Sequence, residues 1–490
     1  MRQAIRPTIQ VLDDHLRSKV VDEAKEVLEE VGFFLENQEG LAVLEAAGAE
    51  INREKKQVKI PKDIIEKALK SAPSSITLYN REGKEVINLG EENVCFDPGS
   101  AAISILDPKT KEIRPAVTKD FVDFLKVVEQ LEHLKAQSTA IVCSDVPKEM
   151  ADRYRLYLCL LYSKKPIVTG TFVKESFEIM KEMLVTIRGS EKKLKEKPLA
   201  IFDACPSPPL KWSDLTCQSI IDGAKYGIPS EFVSMPMTGA NSPVTILGAI
   251  VQHAAETLAG LTITQLVSPG APVIWGGSPA VFDMRKGTTP MGSIDTMLLD
   301  LGYAEIGKYL NLPTHAYLGM SDTKLLDAQT GLETGMGSLL AGLKGINMVS
   351  GAGMLNFETT QSIQKLVIDN EICGMVYRFL EGIAQRDEPI AKELLKEFDE
   401  KTTHLLAHDH TLKWFKKEQY FPSKVIDRAT KEEWISKGQK TIGQRAKERA
   451  EKLINEYPGT SLDEDVVQDL TEIMQRDVRK FQLKTLPNRD

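Results

Sequence analysis

The sequence predicts an α/β protein: a (β/α)8 TIM barrel with a helical and β-hairpin extension before it and a helical extension after it. Three observations predict this. Short β-rich runs recur about eight times, each followed by a helical stretch. Several of these runs are continuously apolar, as parallel strands covered on both faces are. Polar, aromatic and glycine-rich residues collect where the runs end, which is where such barrels carry their sites. An open doubly wound sheet is the alternative arrangement of the same units.

The elements follow in order. Residues 13 to 36 place Val20, Val21, Ala24, Val27, Leu28 and Val31 at helical spacing. A second helix covers about 39 to 47 and stops at Gly48, and a third starts after Pro61. "SSITLYNREGKEVINLG" reads as two short strands around Arg-Glu-Gly. Residues 1–90 are thus an N-terminal extension, 91–375 the barrel, and 376–490 a charged helical extension that packs on it. The barrel strands are expected at 93–105, 134–143, 166–172, 198–204, 230–237, 272–277, 313–319 and 346–350. The helix 244–266 should be capped by Asn241 or Ser242, with Pro243 in its first turn.

The totals narrow the function. The 490 residues carry 62 basic and 70 acidic side chains, a formal net charge of -8, and 42% apolar residues. That balance gives no reason to expect nucleic acid or an anionic membrane as partner. No run reaches the ~20 apolar residues of a membrane span, and residues 1–19 lack the apolar core of a signal peptide. The six scattered cysteines, with no C-x-x-C, fit reduced thiols in a cytoplasmic protein.

The strand ends give a short set of candidates: Phe172 after the third strand, Asn241 and Thr238 after the fifth, Trp275 on the sixth. His315, Tyr317, Ser321, Asp322 and Lys324 follow from the seventh, with Gln329 beyond, and Phe357 lies past the eighth. Aromatics and methionines gather there, and strong ionisable groups are few. An aromatic-lined pocket with little charge suits a soft cation, because ring faces attract a quaternary ammonium that cannot hydrogen-bond. Barrel-layer and lid packing is the alternative role for each ring. Lys324 and Lys174 could form a Schiff base, as in a lysine-dependent aldolase or lyase. His404, His408 and His410 look like a metal cluster but lie away from the strand ends, so no metal is expected. His253 and Glu256, one turn apart, suit a hydrogen-bonded core pair. "SGAG" and "WGGS" could cradle phosphate, and Cys143 and Cys205 lack an adjacent base.

Four stretches carry a resemblance over nearly the whole chain. They are "VLEEVGFFLENQEGLAVLEAAGAEINREKKQVKIP", "SPVTILGAIVQHAAETLAG" with "PGAPVIWGG", "SDTKLLDAQTGLE" with "INMVSGAGML", and "HDHTLKWFKKEQYFPSKVIDR". Together they resemble the trimethylamine methyltransferase family, in its branch without pyrrolysine. In the trimethylamine enzymes pyrrolysine lies in the barrel pocket near the segment "SDTKLLDAQTGLE", and Gly331 is the position set against it here. The resemblance implies a barrel that moves a methyl group from a quaternary amine, a betaine, to the Co(I) of the corrinoid (cobalamin) on a separate protein. It implies no tightly bound cofactor and no side-chain acid, base or nucleophile. Tyr317 and Asp322 would position the methyl group. Phe172, Trp275, Tyr317 and Phe357 would cage the ammonium. Asn241, Thr238, Ser321, Lys324, Gln329 and His315 would meet the substrate carboxylate. A homo-oligomer is expected, and a non-catalytic betaine-binding protein stays open beside the enzyme.

Overall fold

The computed structural model describes residues 4–398 and 404–489. Eight parallel strands form its centre: β1 (Cys95–Pro98), β2 (Gln137–Ser138), β3 (Ile167–Gly170), β4 (Ala200–Ala204), β5 (Ser230–Ser234), β6 (Val273–Gly277), β7 (His315–Tyr317) and β8 (Met348–Ala352). β2 to β6 pair in sequence, and β7–β8–β1 form a second run. Single parallel bridges close the ring at both seams, Phe96 with Leu134 and Trp275 with Thr314. The outer helices are α1 (Thr118–Glu129), α2 (Ala151–Tyr162), α3 (Ser176–Arg188), α4 (Asp214–Tyr226), α5 (Ile246–Val267), α6 (Ile294–Tyr309), α7 (Ala328–Lys344) and α8 (Ile363–Leu380). The strands are shorter than the apolar runs, because residues flanking each pairing stretch join loops over the barrel ends.

Inward positions change character along the strands. The lower layer is apolar: Cys95, Ala136, Val168, Ile201, Ile274 and Met348. The hairpin Ile76–Tyr79 with Glu85–Leu89 closes this end, burying Ile76, Leu78, Ile87 and Leu89 in the same cluster. Alternation along a strand turns these four side chains to one face.

The first helix runs Asp14–Glu26 and continues as a π-turn over Val27–Val31. Residues 33–36 do not extend it as the periodicity suggested. Gly32 sits at φ 79, where a Cβ would meet the Val58 carbonyl oxygen at 2.4 Å. The chain therefore turns, and Phe33–Leu35 pairs with Gln57–Lys59 and, in parallel, with Lys211–Trp212 from the β4–α4 loop. The extension is thus stitched to the barrel.

α5 also departs from its reading. It starts at Ile246 after Thr245, and no side chain caps it. By length and composition α5 is apolar enough to cross a membrane, but 78% of its apolar window is buried inside the protein. It is a core helix, which explains why it is apolar all round. In the C-terminal region, Ile442–Asn455 packs on α8 and Glu464–Lys480 on α2 and α3, where Arg153 pairs with Asp477.

Candidate functional site

One residue pair up from the apolar layer, the same strands turn acidic. Asp97, Asp203 and Glu231 point into the barrel around His315; Asp97, Glu231 and His315 are buried, and Asp203 is half-buried at the cavity wall. His315 Nε2 lies 2.9 Å from Ser350 Oγ, and Ser350 donates to Asp97 Oδ1 at 2.7 Å. His315 Nδ1 is 2.9 Å from Glu231 Oε1. That last pair has hydrogen-bond length without hydrogen-bond alignment, so Nδ1 and both Glu231 oxygens are otherwise without partners. A Cβ at Gly276 would sit 3.0 Å from His315 Nδ1, so a bare glycine makes room for the ring.

Burial sets the protonation of this layer. It pushes Glu231 up to about 8 and holds His315 down at about 4. Asp97 and Asp203 are raised for the same reason, each raised further by neighbouring carboxylates. The layer therefore favours neutral forms until a positive charge enters.

Tyr317 stands above it. Its ring meets His315 edge-on at 4.9 Å between centroids, and its hydroxyl lies 2.8 Å from Ser100 Oγ. Burial, then Asp203, Glu358 and Glu231, suppress its ionisation. Val233, Met291, Met320 and Met354 complete the apolar rim. Glu358 caps the arrangement. It accepts from Ser278 at 2.9 Å, and burial raises it to about 7. It sits on an unusual turn: Asn356, Phe357 and Glu358 have φ of 51°, 56° and 64°. Three consecutive non-glycine residues in the left-handed region are strained, and such strain clusters at functional sites.

Two cavities open at the mouth. One, of about 200 Å³, is lined by Ser100, Thr139, Arg155, Phe172, Asp203 and Cys205 among others. The other, of about 460 Å³, lies beside the β7–α7 loop and includes Asp322, Lys324, Gln329, Glu333 and Phe357.

A profile of the family described as "Trimethylamine methyltransferase (MTTB)" matches residues 2–482. The chain belongs to the trimethylamine methyltransferase family. The trimethylamine methyltransferase of Desulfitobacterium hafniense is 32% identical over 450 residues, 92% of this chain and 90% of its own length. That of Methanosarcina barkeri is 32% identical over 466 residues, covering 93% and 92%. A glycine betaine methyltransferase of Desulfitobacterium hafniense is 28% identical over 462 residues, covering 94% and 95%. Among solved structures, the Methanosarcina barkeri monomethylamine methyltransferase aligns over 93% of this chain and 96% of its own. Its TM-score is 0.46 at 12% identity.

In this methyltransferase the structure does not bring the four expected rings together. Trp275 points away from the lumen: its ring packs on Gly307 of α6 and its Nε1 donates to the Tyr303 carbonyl at 2.9 Å. Phe172 is covered by the Arg155 guanidinium at 4.4 Å, and Phe357 by the Lys324 ammonium at 3.9 Å. Of the four, Tyr317 lies beside the acidic layer. Asp322 spends both oxygens on the backbone N–H groups of Met291 and Gly292, at 3.0 and 2.8 Å. Burial raises its carboxyl to about 6. Ser321 and Gln329 both donate to Glu333, at 2.6 Å each. Asn241 accepts from Met237 N at 2.7 Å within its own loop. Gly331 is exposed in the first turn of α7, and a Cβ there would touch nothing within 4 Å.

The other candidates have structural partners. Lys174 pairs with Asp214 at 2.8 Å, and Lys324 donates to the Asp322 carbonyl at 2.7 Å. His253 and Glu256 both lie buried in the core but are not bonded to one another. His253 is bonded to the Gly276 carbonyl at 2.9 Å, while Glu256 accepts from Ser234 at 2.6 Å. His408 and His410 reach different acids, Glu397 and Asp387.

The expectation of few ionisable groups at the strand ends is overturned by Asp97, Asp203, Glu231, Glu358 and the buried Arg155. A signal for the first three was present. An acidic residue inside an apolar parallel strand, as in "FDP", "IFDA" and "SEFV", has no solvent face to occupy.

Proposed function

We propose that this methyltransferase takes a methyl group from a quaternary amine of the betaine type and delivers it to the Co(I) of a corrinoid carried by a separate protein. The N–CH3 bond breaks with its electron pair staying on nitrogen, so a neutral tertiary amine leaves. The cobalt–carbon bond forms as Co(I) becomes Co(III). No proton moves, so the barrel's task is to strip water from the cation, hold it, and aim one methyl at the mouth.

The observation that carries this reading is the setting of Tyr317. Its ring lies beside an acidic layer in which oxygens of Asp97, Asp203 and Glu231 have no hydrogen-bond partner, and such a setting suits a desolvated ammonium. The family supplies the methyl-transfer chemistry, and the glycine betaine methyltransferase among its relatives supports a quaternary substrate. The chain contains only the twenty standard residues, with no pyrrolysine to activate a tertiary amine. Lys174 and Lys324, tied to Asp214 and to the Asp322 carbonyl, give an imine mechanism no support.

The test is an anaerobic assay of purified protein with cob(I)alamin, glycine betaine, proline betaine, carnitine, butyrobetaine and trimethylamine. Methylcobalamin should form with at least one betaine and not with trimethylamine. Turnover of trimethylamine with none of the betaines would refute the reading. Betaine binding with no methyl transfer to cobalamin or any corrinoid protein would leave a binding protein in its place.

A further inference from the structure

We propose that Arg155 receives the substrate's carboxylate, making the smaller mouth cavity a two-ended site that selects zwitterionic quaternary amines over simple cations. This rests on the reading above and deepens it.

Arg155 comes from the first turns of α2 and is 2% exposed. Its Nη1 donates to the Thr139 carbonyl at 2.5 Å, and its Nε has no hydrogen-bond partner. Among the described residues no carboxylate forms an ion pair with it. Asp152 and Asp203 are both near enough to be felt, but the Asp152 oxygens are engaged by the N–H groups of Arg153 and Phe172 at 2.8 and 2.6 Å, and Asp203 makes no ion pair with the guanidinium.

The protein's other buried arginines behave differently. Arg153, two residues away and 1% exposed, has Asp477. Arg188 is engaged by the carbonyls of Lys197, Arg81 and Tyr79, and Arg81 by those of Leu160 and Ser163. Apart from the Phe172 ring that it covers, the Arg155 guanidinium has one backbone acceptor, and a bidentate carboxylate is the guest that best completes it.

The acidic lining of the same cavity supplies the second half of the match. Asp203 lines the same space, and its Oδ1 has no partner. Glu231 and Tyr317 are both close enough to Asp203 to act on it or feel it. A molecule with a carboxylate at one end and an ammonium at the other meets a cation and an acidic layer in the right order. At about 200 Å³ the space suits a small metabolite. Trimethylamine or tetramethylammonium would fill only the acidic end and leave Arg155 unpaired, the kind of penalty that yields strong discrimination.

The test is calorimetry with glycine betaine, proline betaine, butyrobetaine and carnitine, each against its methyl ester. The wild type should bind the preferred acid on the order of 10- to 100-fold more tightly than its ester. Arg155→Met should erase that difference by weakening the acid alone, and Arg155→Lys should fall between. An ester bound as tightly as its acid by the wild type overturns the proposal, with no variant needed. So does equal weakening of acid and ester in Arg155→Met. If the wild type binds no quaternary amine, the proposed function fails and this inference with it. If esters bind like acids while methyl transfer to Co(I) persists, only the role of Arg155 fails.

Discussion

The two ends of the barrel are made from the same strands and are chemically opposite. On β1, β4 and β8 the lower inward residues are Cys95, Ile201 and Met348, and the next inward residues are Asp97, Asp203 and Ser350. The change takes one strand repeat, about 7 Å. Below it, the hairpin plug makes a closed apolar core. Above it, oxygens of Asp97, Asp203 and Glu231 lie buried without hydrogen-bond partners, at a cost that a core would avoid. One half is organised for stability and the other for a charged guest, so substitutions in the two halves should act on different measurements.

The largest effect is expected in the plug. Leu78 is 1% exposed between the hairpin and the lower barrel layer. Leu78→Asp would place an unpaired charge there, at a cost of roughly 3–5 kcal/mol or more. The expected outcome is insoluble protein, or a melting temperature lowered by about 10 °C. A soluble variant melting like the wild type would show that the hairpin is not what holds the bottom of the barrel.

Glu231→Gln should act in the opposite way. It removes a buried carboxyl whose oxygens lack aligned partners, so the melting temperature should hold or rise, while methyl transfer falls roughly 10- to 100-fold. Loss of both stability and activity would place Glu231 in the structural half.

The sequence exposes one side of this contrast better than the other. The βα repeat, the continuous apolar runs and the "SSITLYNREGKEVINLG" hairpin follow from local periodicity, and local periodicity is what secondary structure obeys. The site depends on which inward position each strand presents at which height. Trp275 and Tyr317 look alike as strand-end aromatics, yet Trp275 falls on the outward face toward α6 and Tyr317 on the inward one. Asp322 reads as a residue that positions the methyl group, but the Met291 and Gly292 amides that hold it come from a loop some thirty residues earlier that no spacing rule connects to it. Arg155 was missed because it follows a strand of only two residues, on a helix whose every early position is buried.

Protonation should divide the two halves again. Glu231 is held up to about 8 against an ordinary value of 4.5. Between those values the folded protein keeps a proton that the unfolded chain has lost, so stability falls as pH rises through that window. A bound ammonium favours the ionised carboxylate. Affinity for a quaternary amine should therefore climb several-fold from about pH 6 to about pH 9, as Glu231 and Glu358, near 8 and 7, ionise. Titrations showing flat affinity would mean that neither carboxylate faces the cation. In Glu231→Gln the stability slope across the window should flatten.

The smallest effect isolates what Tyr317 contributes. Its ring lies beside the acidic layer, while its hydroxyl is turned to Ser100 at the mouth. If the ring face supplies the attraction, Tyr317→Ala should weaken betaine binding by roughly 5- to 30-fold, the ~1–2 kcal/mol of a desolvated cation–π contact. Tyr317→Phe keeps the face and loses one partly buried hydrogen bond, so affinity should change by less than about threefold and the melting temperature by a few degrees. Should Phe cost as much affinity as Ala, the hydroxyl and Ser100 would be the recognition element and the ring merely its support. Should Ala lower the melting temperature and leave affinity unchanged, Tyr317 would belong to the packed half of the barrel, and the boundary between the halves would lie higher than the carboxylates place it.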